Sequence, residues 1–194
     1  NGEVLMPYTH ELIKKSIFFD NFYSQGTQTN QGIVSSLYGF PSVLDRHMMM
    51  KYSILLGVNT ERNNNLNNMR KRDVPLYHGL PNDLKNNGYH NIGFMTHTKT
   101  FDNLDYFLPA NGYDRVFGKE DYPASEYVNI WGVPDEYMLN YSITKMDSVA
   151  QKDEPFMATI ITVANHPPFL YPDKFDPVSS LEDERVMAYV DSYI

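Results

Sequence analysis

The fold class follows most directly from residues 134–163, which read PDEYMLNYSITKMDSVAQKDEPFMATIITV. Its first part, Pro134 to Lys152, has apolar side chains at helical spacing and predicts an amphipathic helix. The positions predicted to face the core are Tyr137, Tyr141, Ile143 and Met146. Its second part, Phe156 to Val163, predicts the most apolar strand of the chain, which Pro167 and Pro168 then stop. A helix that leads into a buried strand is the repeating unit of α/β folds.

The rest of the chain shows the same alternation of helices and strands. Further helices are predicted at Met6–Ser16, Asn30–Tyr38, Pro81–Asn87, Phe101–Asn111 and Leu181–Ile194. Further strands are predicted at Ile17–Tyr23, Asn91–Met95 and Tyr113–Phe117. Residues 59–73 are rich in Asn and charge, which is typical of a surface loop. The alternation predicts an α/β fold with a mostly parallel central sheet flanked by helices.

Composition removes several classes of function. The 194 residues carry a net charge of −8, and the one short basic run is Arg70 to Arg72. Nucleic-acid binding requires a concentrated positive surface, so we expect none. The chain has no Cys, which excludes disulfides, thiolate metal sites and Cys nucleophiles. No apolar run approaches the ~18 residues of a membrane span. The sequence starts without Met and ends inside a helical pattern, so we expect both ends to be truncated.

The first candidate site is the polar segment Gly26 to Gly32, between a predicted strand and a predicted helix. Thr29 would lie at the start of that helix, where free backbone N–H groups and the helix dipole favour a phosphate or an alkoxide. A Thr hydroxyl becomes a nucleophile only when a base or a metal activates it. The alternative is that Thr27 or Thr29 only caps the helix.

The second candidate site is Ala164 to Phe169, where His166 follows a core strand. Its imidazole could donate to a substrate phosphate or bind a metal, and the alternative is a loop His bonded to backbone. His97 also follows a predicted strand. Because carboxyl ends of parallel strands meet at one edge of a sheet, we expect Thr29 and His166 to face a shared cleft.

Two runs of sequence resemble a known family. Residues 18–32, FFDNFYSQGTQTNQG, are followed by SLYGFP at 36–41, and residues 162–169 read TVANHPPF. This order is similar to the nucleophile region and the Asn-His motif of lipoteichoic-acid synthases and related phosphoglycerol transferases, in the sulfatase and alkaline-phosphatase superfamily. Residues 80–89 and 99–103 add weaker similarity. The resemblance implies that residues 1–194 are the central part of one sulfatase-like catalytic domain, with a surface insertion near 46–74.

The resemblance also implies roles for individual residues. Thr29 matches the family nucleophile, which also binds the metal, and His166 matches a residue that contacts the glycerol-phosphate group. The implied substrate-binding residues further include Asn165, His97, Asp102 and Asn103. Leu104 stands where the family has an Arg, so a bidentate phosphate ligand is missing. The remaining metal ligands would lie outside this chain.

The implied function is transfer of a phosphoglycerol- or phosphoethanolamine-type head group from a membrane lipid, through a phospho-threonine intermediate, to a glycan or lipid acceptor. The implied cofactor is a divalent metal ion, with manganese as the first candidate. The implied location is extracytoplasmic, with a membrane anchor in a missing N-terminal region. Two alternatives stay open: a metal-dependent phosphodiesterase or sulfatase-like hydrolase, and an anion-binding fragment without turnover.

Overall fold

The computed structural model describes residues 5–42, 47–50, 74–167, 169 and 182–191. Helices in this part of the chain are α1 Pro7–Ile13, α2 Thr29–Tyr38, α3 Leu80–Asn86, α4 Leu104–Ala110, α5 Asp135–Ala150 and α6 Glu182–Asp191. The strands are β1 His90–Met95, β2 Arg115–Phe117 and β3 Phe156–Ile161. Short 3-10 turns lie at Phe101–Asn103, Lys119–Asp121 and Ala124–Glu126. No helix among the described residues is long and apolar enough to cross a membrane.

The three strands form a parallel sheet in the order β2-β1-β3. Strand β1 pairs with β3 from His90 opposite Phe156 to Met95 opposite Ile161. Because the strands are parallel, the loops that follow β1 and β3 leave the sheet at the same edge. The predicted α/β fold with a parallel sheet is therefore confirmed.

Helices cover both faces of this sheet. On one face, apolar side chains of α2 and α4 form one hydrophobic cluster with Met157 and Ile161 of β3. On the other face, α5 packs against Phe156, Ala158 and Ile160. This alternation follows from the two-residue period of a strand, and it produces a three-layer arrangement of helix, sheet and helix.

One predicted strand is wrong. Ile17 to Tyr23 lies outside any helix or strand, and its apolar side chains are exposed; Ile17 is 86% and Phe22 is 83% accessible. A strand is stabilised by hydrogen bonds to a neighbouring strand and by burial of one face. The described residues provide neither for this segment, so its high β-propensity alone does not form a strand.

Two details of the predicted helices are also corrected. The helix predicted from Phe101 is interrupted, because Asp102 and Asn103 adopt left-handed backbone angles with φ of 51° and 64°, and α4 starts only at Leu104. In α5, Ile143 faces solvent and is 52% accessible. Residues 51–73, which hold most of the predicted insertion and the whole Asn-rich loop, lie outside the described residues. At the edges of the 46–74 range, Met48, Met49 and Val74 are buried in the core.

Candidate functional site

Thr29 is the first residue of α2. Gln28 is the N-cap residue, and its side chain makes no capping bond. Its backbone carbonyl accepts the backbone N–H groups of Gln31 and Gly32. The Thr29 side chain is partly exposed, and within the described part of the chain its hydroxyl has no hydrogen-bond partner. Thr29 is therefore not a side-chain cap, and its hydroxyl is available at the positive end of a helix.

A polar network ties the first turn of α2 to the loop that follows β1. The Asn30 amide donates to Asp102 Oδ2 at 3.4 Å, and the Asn30 oxygen accepts the backbone N–H of Met48 at 3.1 Å. The ring of His47 binds Asp102 Oδ1 through Nε2 at 3.1 Å. Because His47 Nδ1 accepts the backbone N–H of Met49 at 3.2 Å, Nε2 carries the proton that is donated to Asp102.

These contacts involve Asp102 and its neighbour Asn103, two residues that were expected to bind substrate. Both carboxylate oxygens of Asp102 are engaged by protein groups, and its side chain is only 16% exposed. Asn103 is completely buried and donates to the Met49 carbonyl. Asp102 thus bonds to the first turn of α2 and Asn103 to the segment at Met49; the substrate binding expected of both residues stays a prediction. Neither is part of the substrate contacts that we propose below.

His166 lies in the turn after β3, together with Asn165, and both are exposed. Its Nδ1 donates to the backbone carbonyl of Pro167 at 2.8 Å, which leaves Nε2 without a partner among the described residues. The His166 ring packs edge-on against Trp131, with ring centres 5.0 Å apart. The bond to a backbone carbonyl, expected if His166 were only a loop residue, is thus present. The ring nevertheless contacts Trp131 at the carboxyl edge of the sheet.

A cluster of four rings connects the two loops at the carboxyl edge of the sheet; we call it the ring cluster. Its members are His97, Phe101, Trp131 and His166. The ring of His97 lies 5.0 Å from Phe101 and 6.4 Å from Trp131, and Phe101 lies 5.9 Å from Trp131. Phe101 directly precedes Asp102, whose carboxylate contacts the first turn of α2. A continuous series of contacts therefore runs from the Thr29 turn to His166.

His97 is buried in this cluster. Its Nδ1 donates to the Thr98 carbonyl at 3.0 Å. Burial is the main cause of the lowered pKa of His97. The hydrogen bond to the Thr98 carbonyl and the charges of Asp102 and Glu120 act in the opposite direction, and the nearby His166 adds a smaller decrease. The net shift favours the neutral ring, whose Nε2 is then an acceptor that suits a hydroxyl or ammonium group.

We expect the free energy of unfolding of the complete protein to fall as the pH decreases below about 6.5, partly because of His97. The pKa of His97 is lower in the folded state than its ordinary value of 6.5, so the unfolded chain takes up the proton first. Urea unfolding at neutral and mildly acidic pH would measure this. His97→Gln should remove part of the pH dependence, whereas His10→Gln, at an exposed position of α1, should not. An unchanged pH dependence in His97→Gln would contradict the expectation.

Sequence reasoning missed residues 129–135, which bring Trp131 into the ring cluster. Gly132 has φ of +104°, and a Cβ there would lie 2.3 Å from the Thr96 carbonyl oxygen, just beyond β1. Only glycine allows this close approach. The chain contains one Trp, followed by Gly. That Trp-Gly pair between two predicted elements was the available signal.

The described residues do not form a metal site by themselves. Among them, no group of three or more His, Asp or Glu side chains is close enough to hold a metal ion. The Thr29 hydroxyl provides one neutral oxygen, whereas hard divalent cations require several oxygen ligands with negative charge.

This donor set predicts weak metal binding by the 194-residue chain alone. Titration calorimetry with manganese chloride should show no site tighter than about 10⁻⁴ M, because a carboxylate-poor site holds a hard cation weakly. Thr29→Ala should bind equally weakly. A dissociation constant in the low micromolar range would instead show a ligand cluster that the described residues do not contain.

The parallel sheet, with a hydroxyl at the start of α2 and a His after β3, defines an α/β protein of the class in which ligands bind at the carboxyl edge of the strands. The chain belongs to the Sulfatase family, whose profile matches residues 1–193.

Its relatives make the family branch more specific. The chain is 29% identical to lipoteichoic acid synthase-like YvgJ of Bacillus subtilis, over 96% of this chain and 28% of that protein. It is also 29% identical to lipoteichoic acid synthase 1 of the same organism, over 90% of this chain and 25% of the relative. Phosphoglycerol transferase I of Escherichia coli matches 44% of the chain at 30% identity and 12% of its own length. The chain thus spans about a quarter of the first two relatives.

Solved structures show the same fold. A protein of the alkaline phosphatase superfamily from Vibrio parahaemolyticus superposes with a TM-score of 0.78 and 25% identity, over 97% of this chain and 42% of that structure. The lipoteichoic acid synthase LtaP of Listeria monocytogenes has a TM-score of 0.72 and 20% identity, over 100% of this chain and 45% of its own. The expected membership of the alkaline-phosphatase superfamily is confirmed.

Proposed function

We propose that the protein is a transferase that moves a phosphoglycerol- or phosphoethanolamine-type head group from a membrane lipid through a phospho-threonine intermediate on Thr29. The observation that carries this proposal is the continuous series of contacts from the Thr29 turn through Asp102 and the ring cluster to His166. It supports a single site at the carboxyl edge of the sheet, where ligands of parallel α/β folds bind. The names of the relatives support the class of reaction.

The proposed reaction has two displacement steps at phosphorus. In the first step, Thr29 Oγ1 forms a bond to phosphorus and the bond to the diacylglycerol oxygen breaks. The Thr29 proton ends on that oxygen, so diacylglycerol leaves and the head group stays on Thr29. In the second step, a hydroxyl oxygen of the glycan or lipid acceptor forms a bond to phosphorus and the bond from phosphorus to Thr29 Oγ1 breaks. The proton of the acceptor hydroxyl ends on Thr29 Oγ1, which restores the free Thr29. This path divides one difficult transfer into two easier ones.

The residues of the described site have separate tasks in this scheme. The free N–H groups at the start of α2 stabilise the phosphate oxygens that gain charge in each step. In its protonated form, His166 donates from Nε2 to the phosphate, and Asn165 next to it adds a polar contact. Nε2 of neutral His97 accepts a hydrogen bond from a hydroxyl or ammonium group of the head group. Because Leu104 replaces an Arg of the family, His166 is the main cationic contact in this proposal.

The proposal includes a divalent metal ion, with manganese as the first candidate, held by Thr29 and by acidic ligands outside this chain. Bound there, the ion would lower the pKa of the Thr29 hydroxyl and neutralise charge on the phosphate. We place the enzyme on the extracytoplasmic face of the membrane, anchored by segments outside this chain. Lipid head groups are accessible to the enzyme at that surface.

Transfer and hydrolysis can be distinguished by the product that carries the labelled head group. The complete protein would be incubated with vesicles that contain phosphatidylglycerol or phosphatidylethanolamine labelled in the head group. A transferase produces diacylglycerol together with label on the acceptor. Release of free glycerol phosphate or phosphoethanolamine, or turnover of a lipid-free phosphodiester at a similar rate, would favour a phosphodiesterase. Absence of turnover with added manganese would overturn both readings.

A further inference from the structure

The segment from Asn129 to Asp135 contacts the His166 loop at two separate points. Asp135 is the first residue of α5 and is 1% exposed. Its Oδ1 accepts the backbone N–H of Val163 and its Oδ2 accepts that of Ala164, each at 2.8 Å. Each carboxylate oxygen thus fixes one backbone N–H group: that of Val163, three residues before His166, and that of Ala164, two residues before it.

The second point of contact is the Trp131 indole against the His166 ring. Trp131 is presented by a tight turn: its backbone N–H donates to Asn129 Oδ1 at 2.7 Å, and Val128 donates to the Gly132 carbonyl at 2.8 Å. The close approach of Gly132 to the Thr96 carbonyl oxygen fixes the turn over the end of β1. Trp131 therefore has a defined position from which it can restrict the ring of an exposed His.

We propose that residues 129–135 are the positioning segment of the site: Asp135 sets the backbone that presents His166, and Trp131 orients its ring. The inference rests on the proposed function, because it gives His166 a task that depends on its position. Nothing else among the described contacts restrains His166 from outside its own turn. An exposed loop alone would let the ring sample many orientations, whereas contact with a phosphate in the transition state requires one.

Replacement of Asp135 by Asn keeps the shape but places an NH₂ group opposite one of the two backbone donors. One peptide N–H then loses its acceptor in a buried place, and the loop is expected to shift. Trp131→Leu removes the ring contact without touching the backbone clamp. Since a misplacement of about 1 Å costs about 100-fold in rate, we expect each variant to lower kcat/KM by roughly 10- to 100-fold.

The test is a double-mutant cycle with His166→Asn, measured as head-group transfer by the complete protein. If Asp135 and Trp131 act through His166, then in the His166→Asn background each further change should lower kcat/KM by no more than about twofold. A residue with a merely structural role would cause the same fold-loss in both backgrounds. That result, or wild-type rates in the single variants or in His166→Asn, would overturn the inference. If Asp135→Asn does not fold, the cycle with Trp131→Leu is sufficient, because Trp131 is partly exposed.

The chain offers a matched control for the loss of a buried carboxylate. Asp191 in α6 is also 1% exposed and also accepts two backbone N–H groups, from Tyr8 at 2.9 Å and Thr9 at 2.6 Å, at the start of α1. Asp191→Asn should lower the thermal midpoint much as Asp135→Asn does, with kcat/KM within about twofold of wild type. Thr29→Ala separates the two proposals: persistent transfer in that variant refutes the proposed function, whatever the outcome of the cycle.

Discussion

Replacement of Thr29 by alanine in the complete protein is expected to lower head-group transfer by at least roughly 10³-fold, since loss of a covalent nucleophile removes the intermediate altogether. Thr29→Ser should keep measurable activity, because the hydroxyl is preserved. The stability of the fold should change little, because the side chain is partly exposed and bonds to no other described residue. The measurement is the rate of diacylglycerol formation from labelled lipid, together with the thermal midpoint of each variant.

Thr27→Ala is the matched control for this prediction. Thr27 is exposed two residues before Thr29, and its backbone N–H, which the substitution preserves, bonds to the Gln31 side chain at 3.0 Å. The control variant should transfer at nearly the wild-type rate. Rapid quenching in the presence of donor lipid, followed by peptide mass spectrometry, should locate the head group on Thr29. Modification of Thr27, or full activity of Thr29→Ala, would refute the assignment.

The second large effect is expected at His166, where His166→Asn should lower kcat/KM by about 100-fold. The His166 ring is the main cationic contact that we propose for the phosphate, whereas the Asn side chain is uncharged and shorter. The thermal midpoint should hardly move, because an exposed ring is removed. Steady-state kinetics with labelled lipid would show whether the loss is mainly in kcat, as expected when a contact strengthens in the transition state.

His10→Asn provides the comparison for His166→Asn. His10 lies on α1, is exposed, and is outside the proposed site. It should leave both kcat and KM unchanged. Equal effects of the two substitutions would mean that loss of a surface imidazole, and not loss of a contact to the head group, explains the change at His166.

Local sequence predicted much of this fold. The helical spacing over residues 30–38 predicted α2 to within one residue, and the structure shows that Gly39 ends this helix with the left-handed φ of +71°. The apolar runs of β1 and β3 were predicted in the same way. Each of these signals lies within a window of about ten residues, where backbone propensity and side-chain periodicity decide the outcome.

The same local reasoning failed for Ile17 to Tyr23. This segment has the aromatic and β-branched side chains of a strand, yet among the described residues it pairs with no other strand. A strand depends on a partner that is distant in sequence, so its propensity is only a condition for pairing. In the same way, no local pattern indicated that Asp102 would bond to His47 and Asn30 and so connect to the first turn of α2.

The sequence by itself determined the alternation of helices and strands apart from Ile17 to Tyr23, the positions of the motif residues Thr29 and His166, and the family to which the chain belongs. Only the tertiary structure decided which side chains surround them: Trp131 beside His166, and Asp135 under the loop that presents it. The physical reason is the distance along the chain. Asp135 and Val163 are 28 residues apart, and their contact depends on how α5 packs against the sheet, which no pattern within a short window contains.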